Sequence, residues 1–136
     1  MNDLNSGTID TFRANHGHVG GYWEGRPLLL LTTTGAKSGR LRTTPVMYMS
    51  EGGRIFIFAS KSGAPTNPDW YLNLVAHPDV MVEIGDVTYH AVARTVTGGE
   101  HDQIYTRWAE RYPQYREYQE KTSRSIPVIE LEVQSA

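Results

Sequence analysis

Two glycine turns, each set between β-prone runs, constrain this fold more than any other feature. Glu51-Gly52-Gly53 separates Pro45–Ser50 from Arg54–Ser60, and Gly85-Asp86 separates Val80–Ile84 from Val87–Val96. Links this short return the chain antiparallel to itself, since a parallel crossover needs a dozen or more residues. Two further runs, Arg26–Thr34 and Ile126–Val133, bring the strands to six. Between the hairpins, Asn67-Pro68-Asp69 offers an N-cap, a proline at the first helical position and an early acid, for a helix that must end before Pro78. Beyond Gly99, the residues Ile104, Trp108, Arg111 and Tyr115 follow helical spacing, with Pro113 expected to kink or restart the helix. A mainly β, α+β architecture follows: a six-stranded antiparallel β-barrel with flanking helices. A Rossmann domain is excluded by the shortage of crossovers and the absence of GxGxxG.

With 136 residues there is room for one core. The expected division is a partly flexible N-terminal segment over residues 1–25, polar to Thr11 and glycine- and histidine-rich beyond it, and a single barrel domain over residues 26–136. No window approaches the ~20 apolar residues of a membrane span, and the N-terminus lacks the basic-then-apolar order of a signal peptide. A soluble chain without a transmembrane segment is expected. The lack of cysteine removes disulfides, thiol nucleophiles and zinc-thiolate sites. That suits a cytoplasmic location, with peripheral contact at a membrane left open. A net charge of −2 argues against a nucleic-acid binder, which needs a broad basic face.

Charge is nevertheless concentrated. No acid occurs between Glu24 and Glu51, an interval holding Arg26, Lys37, Arg40 and Arg42 at +4 while the remainder carries −6. Three of these cations sit in Gly35-Ala36-Lys37-Ser38-Gly39-Arg40-Leu41-Arg42-Thr43-Thr44-Pro45, where glycines admit close backbone approach and Ser38, Thr43 and Thr44 add hydroxyls. This describes either a seat for phosphate or carboxylate, or a solvated hairpin turn. It is not a P-loop, because Leu30 stands where the first glycine, counted back from Gly35, is required. His16, His18, His77, His90 and His101 lack ligand spacing, so no metal is expected. A G-x-S-x-G elbow and a paired set of carboxylates are also missing, which leaves hydrolysis unsupported. Tyr112, Tyr115 and Tyr118 recur at intervals of three and present a phenolic face, readable equally as core packing.

Three segments carry a resemblance: TTTGAKSGRLRTTP, FASKSGAPTNPDWYLNLVAHP and RYPQYREYQEKTSRSIPVIELE, in that order. From about Phe12 to Glu132 the chain resembles the deazaflavin-dependent nitroreductase family of actinobacterial split β-barrel oxidoreductases. The resemblance implies a six-stranded antiparallel split β-barrel and reduced coenzyme F420, an 8-hydroxy-5-deazaflavin with a phosphate and a polyglutamate tail, as hydride donor. It implies that Lys37, Ser38, Arg40, Arg42 and Thr43 meet the phosphate and tail, with Arg42 as a fork and Lys37 as a point charge. Pro45, Met47, Ala59, Ser60, Lys61, Gly63 and Ala64 are implied to line the ring, backbone N–H groups around Lys61 facing it. Asn67 and Trp70 then fix the following helix, Tyr112, Tyr115 and Tyr118 form the acceptor pocket, and Ser60 offers a hydroxyl to the acceptor. Met47 departs from the pattern, standing where a nitroreductase of the family carries a tyrosine. Arg111 and Arg124, outside the basic turn, are expected to matter far less for the cofactor.

The implied activity is hydride transfer from reduced F420 to a small electron-poor acceptor: a quinone, an activated alkene or a nitro compound. Two alternatives stay open. One keeps the barrel and takes FMN as cofactor, and the other is a non-catalytic deazaflavin or lipid carrier in which the tyrosines are packing. A homodimer is a further expectation, because split barrels commonly dimerise.

Overall fold

A computed structural model of the chain describes residues 3–135; residues 1, 2 and 136, which belong to the expected segments 1–25 and 26–136, lie outside the described residues. Six strands close into an antiparallel barrel: β1 (Leu28–Thr34), β2 (Leu41–Glu51), β3 (Arg54–Phe58), β4 (Asp79–Ile84), β5 (Val87–Val96) and β6 (Val128–Ser135). Their order around the barrel is β1-β2-β3-β6-β5-β4. Four helices flank it: α1 (Asp3–Ala14), α2 (Asp69–Ala76), α3 (Gly98–Arg111) and α4 (Gln114–Lys121). The helix expected beyond Gly99 is indeed interrupted at Pro113, between α3 and α4.

Alternation along each strand separates the barrel interior from two outer clusters. Leu29 and Leu31 of β1, Val46 of β2, Ile57 of β3 and Ile129 and Leu131 of β6 fill the barrel, with Leu74 of α2 in the same cluster. Leu28 and Leu30 point the other way, into a cluster with Ile9 and Phe12 of α1. Met47, Met49, Phe56, Phe58 and Val128 face outward against Ile104, Tyr105, Trp108 and Tyr115. The unbroken apolar run of β1 is thereby explained: both its faces are covered.

Within the segment expected to be partly flexible, Asp3–Ala14 form α1, a helix the sequence pattern does not announce, and Phe12 within it is 1% exposed. Arg13 forks onto Glu83 at 2.8 and 3.0 Å, His16 lies 2.6 Å from Asp86, and a Cβ on Gly17 would stand 2.8 Å from Gly85 Cα. The glycines that look like loop in the sequence permit this close crossing over the β4–β5 turn.

On the outer wall, Glu130 is 8% exposed and accepts from Arg54 Nε and Nη2 at 3.0 and 2.8 Å and from Arg94 Nη2 at 2.5 Å. Those bonds hold its carboxyl below the usual range, Arg54 making the largest contribution. A carboxylate with a lowered folded pKa stabilises above its unfolded pKa, and that gain disappears as pH falls through the folded value. Glu130→Gln is therefore expected to lower the melting temperature at pH 7 by several degrees, with the gap to the unmodified chain closing below pH 4. Thermal melts across that range check it.

Candidate cofactor and acceptor site

The β1–β2 connection carries the basic turn, but only in part. Gly35 to Arg40 form the loop, with Gly35 N–H donating to Arg40 O at 2.7 Å and Gly39 N–H to Gly35 O at 2.9 Å. Arg42, Thr43 and Pro45 belong to β2 itself. A cavity of about 540 Å³ opens between this connection and α2, lined by Gly35, Ala36, Lys37, Ser38, Arg42, Thr43, Thr44, Asp69, Trp70, Leu72 and Asn73. It brings together Lys37, Ser38, Arg42, Thr43 and Trp70 of the expected set, whereas Arg40 lies outside the lining. Among the described residues, none of Lys37, Arg40 and Arg42 forms an ion pair, so their charge is uncommitted; Asp69, at the first turn of α2, is the single acid in the wall.

Asn73, which the sequence does not single out, ties the cavity's two sides. Its Oδ1 accepts from Ala36 N–H at 3.0 Å and its Nδ2 donates to Thr33 Oγ1 at 3.4 Å. A polar residue in the middle of a short helix, on the face turned to a basic loop, is the available signal.

From this cavity β2 leads outward. Thr43, Pro45 and Met47 share a strand parity, so they fall on the face opposite Val46. Pairing with β3 begins only at Tyr48, which leaves the far edge of β2 unpaired along Leu41–Met47. Pro45 fits there because it has no N–H to contribute to a second ladder. At the far end, Met47 Sδ accepts from the Tyr115 hydroxyl at 3.7 Å.

Tyr115 belongs to an aromatic stack. Phe58 lies parallel to Trp108 at 4.6 Å, Trp108 meets Tyr112 at 4.6 Å and Tyr115 at 5.3 Å, and Tyr115 meets Tyr118 at 5.1 Å. Tyr112 ends α3 and the other two tyrosines lie on α4, so the interval of three spans a break yet still gathers the rings. Burial pushes the Tyr115 hydroxyl up to about 12, which keeps it protonated near neutral pH. Tyr105 donates its hydroxyl to the Tyr115 carbonyl and fixes α4 against α3. Trp108 Nε1 is buried without a hydrogen-bond partner.

The remaining expected residues follow β3. Ala59 and Ser60 are buried, and the chain then turns through Lys61 (φ 46°), Ser62 (φ 53°) and Gly63 (φ 80°). Left-handed conformations at two consecutive non-glycine residues cost about 1–2 kcal/mol each, so the surroundings must enforce them. Gly63 is pressed against α4: a Cβ there would stand 2.7 Å from Tyr118 O. The turn closes by Gly63 N–H to Ser60 O at 2.9 Å and Ala64 N–H to Lys61 O at 3.0 Å. Ser60 is right-handed and Lys61 left-handed, a sequence that converges successive N–H groups into an anion-facing concavity. The N–H groups of Ser60, Lys61 and Ser62 donate to no protein acceptor among the described residues.

One expectation is corrected. Asn67 is not an N-cap; Pro68 takes that position, and Asn67 Oδ1 instead accepts from Arg124 Nη1 at 2.7 Å. The Arg124 guanidinium reaches four acceptors between Ala59 and Asn67. Its place in a polar run, Thr122-Ser123-Arg124-Ser125, gave no hint of this.

Among the described residues no cluster of His, Cys, Asp or Glu is arranged to hold a metal, and no helix is long and apolar enough to cross a membrane. The site offers uncommitted cations at one end, a row of free N–H groups and a phenol at the other, and the outward face of β2 between them. Those features fit a long, multiply anionic cofactor with a ring whose edge accepts hydrogen bonds.

Comparison with known proteins agrees with that fit. Residues 7–133 match the profile of the F420H(2)-dependent quinone reductases. An F420H(2)-dependent quinone reductase of Mycobacterium tuberculosis is 40% identical over 126 residues, covering 88% of this chain and 83% of that protein. The solved F420-H2-dependent reductase FDR-A is 45% identical, with a TM-score of 0.71, over 79% of this chain and 95% of its own. A solved domain-swapped dimer is 42% identical, with a TM-score of 0.73, over 96% and 91%. This chain belongs to the F420H(2)-dependent quinone reductase family, oxidoreductases that use coenzyme F420.

Proposed function

We propose that this chain reduces a quinone with reduced F420 bound along the outward face of β2. Lys37, Ser38, Arg42 and Thr43 take the phosphate and tail, with Arg40 contributing charge from outside the cavity. Pro45 and Met47 form the floor under the ring, and Ala59, Ser60, Lys61, Gly63 and Ala64 its edge. Trp70, in the cavity wall, orients α2, while Asn67 braces the preceding segment. The observation that carries this reading is the placement of uncommitted cations and free N–H groups at the two ends of one unpaired strand edge.

F420 supplies a hydride when bound and reduced. The protein supplies position and charge. The free N–H groups of Ser60, Lys61 and Ser62 would hold the ring's heteroatoms by hydrogen bonds and fix its orientation. The aromatic wall of Tyr112, Tyr115 and Tyr118 stacks a flat acceptor, and the Tyr115 hydroxyl holds the proton that the reduced quinone oxygen requires. Ser60 stands at the same edge and offers a second hydroxyl. A homodimer is part of the reading, supported by the domain-swapped assembly of the 42% identical structure. The protein acts as a cytoplasmic reductase that meets its acceptor in solution or at a membrane surface.

Fluorescence titration with F420 and, separately, FMN tests the reading. F420 is expected to bind with clear preference, because only its tail supplies carboxylates for Lys37, Arg40 and Arg42. Stoichiometric FMN binding without response to F420 overturns it, and F420 binding without turnover of a quinone leaves only a carrier.

A further inference from the structure

We infer that Arg124 is a positioning residue of the ring site, a guanidinium clamp that holds the strained Ser60–Gly63 turn and polarises the N–H groups it presents. The inference rests on the functional reading above and concerns a residue outside every expected site.

The geometry is specific. Arg124 Nη1 donates to Ala59 O at 3.1 Å and to Asn67 Oδ1 at 2.7 Å, Nη2 to Ser60 O at 2.8 Å, and Nε to Ala64 O at 2.9 Å. The carbonyls of Ala59, Ser60 and Ala64 flank the left-handed residues Lys61, Ser62 and Gly63 on both sides, with Asn67 further along the chain. A turn that disfavours its own backbone angles is thus fixed at both ends by one side chain. The clamp is itself anchored: Arg124 O accepts from Gln119 Nε2 at 2.7 Å, and Ile126 N–H donates to Gln119 Oε1 at 3.0 Å, both from α4.

Electrostatics adds a second effect. The Ala59 carbonyl shares its peptide unit with the Ser60 N–H, and the Ser60 carbonyl shares its own with the Lys61 N–H. A cation bonded to both carbonyls draws electron density from the two units, which makes both N–H groups stronger donors. Among the described residues no carboxylate pairs with Arg124, so this charge is not cancelled; burial lowers its pKa without approaching neutrality. Lysine cannot replace it, because a single ammonium cannot meet four acceptors spread around a plane.

The test uses Arg124→Lys and Arg124→Ala in the full chain, with Arg111→Ala, an exposed arginine, as control. Two quantities are measured: the affinity for F420 by fluorescence, and amide exchange at Gly63 and Ala64, whose N–H bonds close the turn, without cofactor. Both Arg124 variants are expected to bind F420 about tenfold or more weakly, as loss of charge-assisted hydrogen bonds implies. Both are expected to exchange faster at Gly63 and Ala64 while the barrel strands keep their protection. A folded Arg124→Lys protein matching the unmodified chain in affinity and exchange overturns the clamp, as does weaker binding without any local change in exchange. Unmodified protein that binds no F420 overturns the functional reading instead, and is recognised before any variant is made.

Discussion

Replacing Lys37 and Arg42 together by alanine is expected to weaken F420 binding by about a hundredfold, the largest effect of any surface change in this protein. Each is a cation in the cavity wall without an acidic partner among the described residues. A charge-assisted hydrogen bond commonly changes affinity by one to two orders of magnitude. Both side chains are exposed, so the lower value applies to each. For the same reason the loss depends on salt: between 0.05 and 0.3 M, as rough concentrations, the unmodified chain should lose affinity while the double variant barely changes. Arg111→Ala is the proper control, and Arg124→Ala is not. Fluorescence titration at the two salt concentrations measures both quantities, and equal losses for the double variant and the control remove the anion seat.

Hairpin chemistry made most of the barrel legible. Glu51-Gly52-Gly53 and Gly85-Asp86 enforce antiparallel returns wherever they occur, and the two hairpins form with the expected partners. Val87–Val96 coincides with β5 because a β-prone run that opens directly on a tight glycine turn has few alternative readings. The N-terminal helix was hidden by composition. Residues 3–14 carry few apolar side chains, and Ile9 and Phe12 matter only because β1 leaves Leu28 and Leu30 uncovered for them. That is tertiary information. The basic loop and the tyrosines were visible as charge and spacing, but two features that shape the site were not. Arg124 works through backbone carbonyls some 60 residues away in sequence. Neither the acceptors nor their left-handed geometry leave a mark around Arg124 in the sequence. Asn67 misleads for a related reason: Asn before Pro looks like a cap, but its side chain is engaged by Arg124 instead.

Tyr115→Phe is expected to lower quinone turnover by about 10²-fold while leaving the fold and F420 affinity intact, the first being the typical contribution of a positioned proton donor. Hydride addition to a quinone leaves negative charge on oxygen, and a proton must follow. Tyr115 is suited to deliver it. The ring is 9% exposed and held by Trp108 and Tyr118, while its hydroxyl rests on Met47 Sδ at 3.7 Å. A thioether is a weak acceptor, so the bond aims the hydroxyl without committing its proton. Removing the hydroxyl leaves no strong acceptor unsatisfied, which is why stability at neutral pH should barely change. Burial raises the phenol to about 12, so ionisation of this donor cannot depress turnover between pH 7 and 10. The same shift predicts a stability signature. A phenol whose folded pKa is raised stabilises fully below its unfolded value near 10, and that gain is lost as pH rises towards 12. The unmodified chain should therefore lose melting temperature through this window more steeply than Tyr115→Phe. The size of the kinetic loss assigns the role: about 10²-fold or more marks the proton donor, and a several-fold loss marks a positioning hydrogen bond of ~1 kcal/mol. Unchanged turnover in Tyr115→Phe, and equally in Tyr112→Phe and Tyr118→Phe, places the phenols in packing alone and leaves water as the proton source.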